Sequence, residues 1–79
     1  MMLRAAKKAL GRNPTQALAY TSQHASEFPH SQLKEQRYEI RIRALCKLGR
    51  ETQAKNEVDK IMARKRSSKA RSHYNRYCK

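Results

Sequence analysis

Four helix-breaking residues divide this 79-residue chain into segments that each have the length of a helix. Gly11 and Gly49 stand where a left-handed C-terminal cap would end a helix. Asn13 can cap the next helix with Pro14 in its first position, and Pro29 should end that helix. We therefore predict helices over residues 2–10, 14–28, 31–48, 52–65 and 68–78.

The third predicted helix should lie at the centre of the fold. Ser31 can cap its N-terminus, and apolar residues occupy two of its faces. A helix that is apolar on two sides is usually packed between neighbours. One face carries Leu33, Ile40 and Ala44, and the other carries Tyr38, Ile42 and Leu45. The predicted core of the domain comprises Leu10, Ala17, Phe28, Ile40, Leu45, Leu48, Ala54, Val58 and Ile61.

Composition and loop length indicate an all-α fold in a single domain. Ala, Leu, Lys, Arg, Glu and Gln fill most of the chain, and no stretch shows the alternation of β-branched residues expected of a strand. The short loops predicted between the first four helices make successive helices antiparallel. We therefore predict one domain over residues 1–79, with a helical hairpin over 2–28, a second over 31–65 and a capping helix over 68–78.

One turn of the sequence resembles that of tetratricopeptide-repeat proteins. Residues 44–54, ALCKLGRETQA, are similar to the AL-x-x-LGR-x-x-EA turn of that family. The wider segment over residues 13–64 resembles the tetratricopeptide-like tails of bacterial cell-envelope proteins related to the outer-membrane assembly lipoproteins. Ala17 and Ala54 lie 37 residues apart, close to the repeat period of about 34. The resemblance implies a right-handed array of about two repeats plus a cap, in a scaffold or adaptor that binds another protein or an acidic peptide.

The resemblance also implies where a partner would bind, because the first helix of each tetratricopeptide repeat lines the groove that holds a peptide. Lys34, Arg37 and Arg41 follow i, i+3, i+7 spacing, so they form a stripe along one face of the third helix. Arginine can pair with a carboxylate through two parallel hydrogen bonds. The stripe is therefore a candidate partner-binding groove, and the alternative is an ordinary solvated helix face.

Positive charge is concentrated at the two ends of the chain. Nineteen Lys and Arg against six Asp and Glu give a net charge of +13, and residues 60–79 contain eight cations and no acid. Such a segment attracts nucleic acid or another polyanion. Alternatively, Tyr74 and Tyr77 form the apolar face of a capping helix over Ile61 and Met62, and the cations only keep the domain soluble. The predicted polyanion-binding residues are Arg64, Lys65, Arg66, Lys69, Arg71 and Arg76.

The sequence carries no arrangement typical of catalysis, metal binding or a cofactor. His24, His30 and His73 lack partners at triad-like or metal-like spacing. Cys46 and Cys78 also show no metal-ligand spacing. We predict that Cys46 is a buried apolar side chain and that Cys78 is an incidental thiol near the C-terminus. We therefore expect neither an enzyme nor a metal-binding or cofactor-binding protein.

The remaining expectations concern location and partners. No signal peptide or membrane-spanning run is recognisable, which predicts a cytoplasmic protein, or an envelope protein only if the chain is a piece of a longer anchored one. Two repeats are fewer than a stable array needs, which predicts self-association. Two functions stay open, a protein-interaction module and a small basic nucleic-acid-binding protein. Salt separates them, because phosphate-driven binding weakens steeply as salt rises.

Overall fold

Five α-helices make up the regular structure of the chain. The computed structural model describes residues 2–28 and 33–78, and every regular element within those two ranges is a helix. The radius of gyration is 11.4 Å and the principal extents are 28 × 27 × 15 Å, so the domain is flattened. The all-α prediction is confirmed. The helices are α1 (Met2–Ala9), α2 (Pro14–Glu27), α3 (Lys34–Lys47), α4 (Glu51–Arg64) and α5 (Ala70–Tyr77).

The helix boundaries follow local signals in the sequence. Asn13 caps α2 by accepting a hydrogen bond from the Gln16 amide at 3.2 Å, with Pro14 in the first position. Gly49 adopts a φ of 75°, and the amide of Arg50 donates to the Leu45 carbonyl at 2.9 Å, which closes the end of α3. Gly11 does not adopt the left-handed conformation that we predicted.

The connection between the two hairpins is only partly described. The predicted stop at Pro29 and the predicted cap at Ser31 lie outside the described residues. Within them, α2 ends at Glu27 and α3 begins at Lys34. The residue before α3 is Leu33, which makes no side-chain cap. The fourth helix begins at Glu51, one residue before the predicted Thr52.

Helix α3 is the centre of the fold, as its two apolar faces predicted. It packs against all four other helices. Three groups of buried side chains meet on it: one joins α1, α2 and α3, the second joins α3, α4 and α5, and the third lies near the C-terminal ends of α3 and α5. In that order the groups are Ala6, Ala9, Leu10, Ala17, Ile40 and Ala44; Ile42, Val58 and Ala70; and Leu45, Ala54 and Cys78.

Most of the predicted core is buried, but Phe28 is not. Leu48 and Ile61 are half-buried, and Phe28 is 51% exposed. Phe28 follows the last turn of α2, where its ring contacts the His24 ring at a centroid distance of 5.3 Å. The prediction of Phe28 as a core residue was wrong, because the helix ends before this side chain can turn toward α3.

The last helix lies along α3 and runs parallel to it. The start of α5 contacts the start of α3, since Ser68 Oγ and the Lys69 amide both donate to Glu35 Oε1, at 3.0 and 3.1 Å. Toward the other end, the Tyr77 hydroxyl donates to Glu39 Oε2 at 3.1 Å. Helix α5 therefore covers one side of α3, while α2 and α4 flank the other.

A disulfide between Cys46 and Cys78 fastens the ends of α3 and α5 together. The two Cα atoms are 5.0 Å apart and the residues are separated by 32 positions in sequence. The prediction of Cys78 as an incidental thiol was wrong, because the parallel packing of α5 brings its C-terminal cap beside the last turn of α3. No helix of the described residues is long and apolar enough to cross a membrane.

Candidate functional site

A groove of about 380 Å³ lies between α2 and α4, with α3 as its floor. Its charged lining is mostly positive. Arg37 and Arg41 come from α3, Lys60 and Arg64 come from α4, and Glu57 is the carboxylate among the described lining residues. Apolar or aromatic surface is contributed by Ala25, Tyr38, Ile42 and Ile61. The groove is thus cationic, with some apolar and aromatic surface between the charges.

Arg41 joins the three helices that form the groove. Its Nε donates to Glu57 Oε1 of α4, which makes an ion pair between two partly exposed side chains. Its Nη1 donates to Ser22 Oγ at 3.0 Å and to Thr21 Oγ1 at 3.4 Å, both on α2. The guanidinium therefore has structural partners on both walls, and its charge is already balanced by one carboxylate.

Arg37 is held differently, because its partner is uncharged. It is 8% exposed, and its Nη1 donates to Nδ1 of the buried His24 at 3.2 Å. The guanidinium also lies 5.5 Å from the centroid of the Tyr38 ring. Burial lowers the pKa of His24, the positive charge of Arg37 lowers it further, and Glu27 opposes both effects. His24 is therefore neutral near pH 7, with Nδ1 as acceptor.

The structure brings together two of the three predicted groove residues. Arg37 and Arg41 line the groove, whereas Lys34, half-buried at the start of α3, is not among its lining residues. The walls belong to the second helix of each hairpin, and not to the first helices that the resemblance implied. Sequence reasoning missed Glu57 and Lys60, although Glu57, Lys60 and Arg64 repeat the i, i+3, i+7 spacing that identified the stripe on α3.

The predicted polyanion-binding residues are exposed, five of them around the connection from α4 to α5 and Arg76 in the last turn of α5. Within the described part of the chain, none of the six forms an ion pair with a carboxylate. Arg64 also lines the groove, so the two basic regions share this residue. Arg76 lies 5.7 Å from the centroid of the Tyr77 ring. The exposed set is Arg64, Lys65, Arg66, Lys69, Arg71 and Arg76.

The two tyrosines of α5 serve to pack this helix against its neighbours. Tyr74, like Ile61 and Met62, packs against the group formed by Ile42, Val58 and Ala70. Tyr77 is held at its hydroxyl by Glu39, and the guanidinium of Arg43 lies 4.6 Å from its ring centroid. Both rings therefore contact other parts of the domain, and these contacts compete with stacking on nucleic-acid bases.

Other polar side chains of the described region do not form a reactive cluster. His73 Nδ1 lies 3.9 Å from Glu39 Oε2, on the side of α3 that faces α5. Within residues 2–28 and 33–78, no group of three or more His, Cys, Asp and Glu residues is placed to hold a metal ion. Both cysteines are joined in the disulfide. The groove, which gathers four cations on one concave surface, is therefore the candidate ligand site of this region.

Comparisons of the chain with known protein families, with curated proteins and with solved structures found no match. The likeness of residues 44–54 to a tetratricopeptide turn accordingly stays a resemblance. The described structure is an all-α domain of packed helices with a cationic groove on one side of its central helix.

Proposed function

We propose that this chain is a non-enzymatic interaction module that binds an acidic segment of a partner protein in the groove between α2 and α4. The observation that carries the proposal is the charge of the groove, four cations against one carboxylate. Arg41 and Glu57 balance each other, whereas Arg37, Lys60 and Arg64 have no carboxylate partner among the described residues. An acidic segment would supply the missing charges.

The shape and floor of the groove also suit a peptide. Its volume of about 380 Å³ lies within the usual range for ligand sites, about 300–1,000 Å³. Apolar surface from the half-buried Ile61 can receive an apolar side chain next to the acids of a ligand.

The polar groups in and behind the groove are already engaged in hydrogen bonds with one another, which supports a binding role. Both hydroxyl groups at the α2 wall, those of Thr21 and Ser22, accept from Arg41. His24 accepts from Arg37, so its Nδ1 is not available to take a proton from a substrate while that bond persists. A non-enzymatic role is the simplest consequence of these pairings.

The packing supports an array of helical hairpins, which is the architecture that we propose for the module. Consecutive helices from α1 to α4 pack in sequence order, and α1 also contacts α3. Helix α5 runs parallel to α3, in the position that the first helix of a third repeat would take. Its contacts with α3 join Glu35 to Lys69 and Glu39 to Tyr77, which are 34 and 38 residues apart, close to a repeat period of about 34.

Removing two unpaired cations of the groove should weaken peptide binding. For a labelled peptide of alternating Glu and Leu, we expect the variant Lys60→Gln/Arg64→Gln to raise Kd about tenfold, since it removes two exposed ion pairs of about 0.7 kcal/mol each. Fluorescence anisotropy at near-physiological salt measures this change. Both side chains are exposed, so folding should be preserved.

The matched control is Lys47→Gln/Lys55→Gln, which removes the same charge from exposed positions outside the groove lining. We expect this control to change Kd by less than about twofold, because distant exposed charges are screened by salt. Equal weakening by both variants would mean that the peptide responds only to net charge. An unchanged Kd in the groove variant would show that the peptide binds elsewhere.

A second candidate function, nucleic-acid binding, is favoured by one specific observation. Five cations around the α4–α5 connection, and Arg76 in the last turn of α5, are exposed and have no carboxylate partner within the described residues. Clustered cations of this kind bind phosphates with release of counterions and with little dependence on sequence. The engagement of Tyr74 and Tyr77 in packing removes the stacking contribution that single strands would otherwise gain. This candidate therefore rests on charge alone.

Salt dependence tests the second candidate. Changing Arg64, Lys65, Arg66, Lys69 and Arg71 to Gln should lower the slope of log affinity against log salt by about one for each cation that binds a phosphate in the native chain. Titration of labelled duplex and single-stranded oligonucleotides at several salt concentrations measures the slope. The control removes five exposed cations elsewhere: Arg4, Lys7, Lys8, Arg12 and Lys55. Absence of binding at low salt, or an unchanged slope, would eliminate nucleic acid as a ligand of this surface.

A further inference from the structure

Arg37 is a buried cation whose charge no carboxylate of the described chain balances. It is 8% exposed, and the ion pairs of residues 2–28 and 33–78 do not include it. Buried charges are normally paired, because removing a charge from water is costly. Within the described residues, its side-chain hydrogen bond goes to a neutral nitrogen of His24. Arg37 is among the residues that line the groove, His24 behind it is not, and the guanidinium carries N–H donors beyond the one given to His24.

His24 is set between this cation and the end of α2. On its own helix it faces Glu27, which raises its pKa, and its ring contacts Phe28 at 5.3 Å. From α3 it faces Arg37, and its burial lowers the pKa more than the charge of Arg37 does. The other charged groups of the groove are those of Arg41, Glu57, Lys60 and Arg64. A proton on Nδ1 would break the bond from Arg37 and set two cations side by side.

We infer that Arg37 and His24 form an anion subsite of the groove, at which binding of an oxyanion and protonation of His24 favour each other. The inference rests on the proposed function only in taking the groove as the ligand site. An oxyanion on the free N–H groups of Arg37 supplies the missing negative charge. In its presence His24 can accept a proton on Nδ1 and donate to the oxyanion, where before it accepted from Arg37.

Thermodynamic linkage fixes the direction of the pH dependence. Without an anion, the pKa of His24 is below its ordinary value. With an anion bound, the pKa rises, so between the two values binding takes up a proton. Affinity therefore increases as pH falls through the higher, liganded pKa, and it levels off below the lower one. Above the liganded pKa, affinity does not depend on the titration of His24.

Nuclear magnetic resonance of the imidazole Cε1–H group tests the inference directly on the intact chain. Sodium sulfate is the first probe, because its charge is constant from pH 5 to pH 8, and sodium chloride of equal ionic strength is the reference. At saturating sulfate we expect the pKa of His24 to rise by about one, equivalent to about tenfold tighter binding at low pH. His73, which faces Glu39 and not the groove, is the internal reference, and at a fixed pH its Cε1–H resonance should be the same in both salts.

Three further measurements make the result decisive. Formate in place of sulfate separates a carboxylate-binding site from one that takes only a tetrahedral oxyanion. The variant Arg37→Gln should abolish the rise in the pKa of His24. The variant His24→Asn keeps an acceptor near the position of Nδ1 but cannot titrate, so its affinity for the Glu–Leu peptide should not change from pH 8 to pH 6, a range in which the glutamates of the peptide stay ionised, whereas that of the native chain should increase.

The outcomes separate the subsite from the proposed function. A rise in the pKa of His24 with sulfate, together with no peptide binding, would support the subsite and contradict the acidic-peptide function. Peptide binding that depends on Lys60 and Arg64, together with a pKa of His24 that no anion changes, would overturn the subsite and leave the function standing. Because the sulfate titration uses the native chain, a variant that fails to fold does not prevent either conclusion.

Discussion

Reduction of the disulfide between Cys46 and Cys78 is expected to lower the free energy of unfolding by about 3–4 kcal/mol. The bond closes a loop of 32 positions, and a cross-link of that length restricts the unfolded chain by roughly this amount in the chain-entropy treatment. For a domain of this size the loss corresponds to a fall in melting temperature of roughly 12–30 °C. Calorimetry with and without a reducing agent measures the change.

In the reduced protein, α5 should be the first helix to open. This helix has eight residues, too few to be stable in isolation. After reduction it is held to α3 by the bonds at Glu35 and Glu39 and by the packing of Tyr74. Amide hydrogen exchange should therefore accelerate in α5 before it does in α3. A reductant-insensitive double variant, Cys46→Ala/Cys78→Ala, controls for other effects of the reagent.

Two results would contradict this prediction. One is detection of two free thiols by alkylation and mass spectrometry in the oxidised protein. The other is an equal melting temperature for the oxidised and reduced forms. The disulfide also bears on where the chain works, because structural disulfides persist in oxidising compartments and are rare in the cytosol. The bridge thus favours an oxidising location over the cytoplasmic one predicted from the sequence.

The helices were predictable because their signals are local. Asn13 and Pro14 start α2, and Gly49 ends α3, through contacts within a few residues of the chain. The central place of α3 was predictable because Ile40 and Ile42 lie on different faces of one helix, and each face joins a separate buried group. Pattern and capping therefore predicted element type and the identity of the central helix.

The disulfide and the exposure of Phe28 were not predictable from the same signals. Pairing of Cys46 with Cys78 depends on the direction of α5 relative to α3, which is fixed by contacts such as Glu35 with Lys69 across 34 residues. Phe28 has the spacing of a core residue, but α2 ends at Glu27. A shift of one turn decides whether such a side chain is buried, and boundaries are the least certain part of a sequence prediction.

Only the part of the candidate site that lies on α3 was predictable from the sequence. The stripe of Arg37 and Arg41 follows from helical spacing on α3 alone. Helical spacing does not show which helices face this stripe. In the structure α2 and α4 flank this side of α3, while α5 covers the other side. Only the packing of the helices therefore shows that Lys60 lines the groove and that neutral His24 is the hydrogen-bond partner of Arg37. Helical spacing identifies which side chains share a face, and tertiary packing determines which face remains open.

Leu45→Ala is expected to lower the free energy of unfolding by about 2–5 kcal/mol, the usual range for removing a fully buried leucine. Leu45 is 0% exposed and belongs to the buried group with Ala54 and Cys78, so it contacts the region where α3, α4 and the end of α5 meet. A domain of this size has a total stability of about 4–12 kcal/mol. The variant should therefore melt far below the native chain, and the oxidised and reduced forms should both be affected.

The matched control is Phe28→Ala, which removes a larger apolar side chain that the structure leaves 51% exposed. We expect this control to cost no more than about 1 kcal/mol, because an exposed ring loses little burial and leaves no internal cavity. Urea unfolding of the oxidised proteins, followed by circular dichroism, gives both values. If Phe28→Ala destabilised the chain more than Leu45→Ala, then α2 would have to extend further and turn Phe28 inward, and the central position of Leu45 would be wrong.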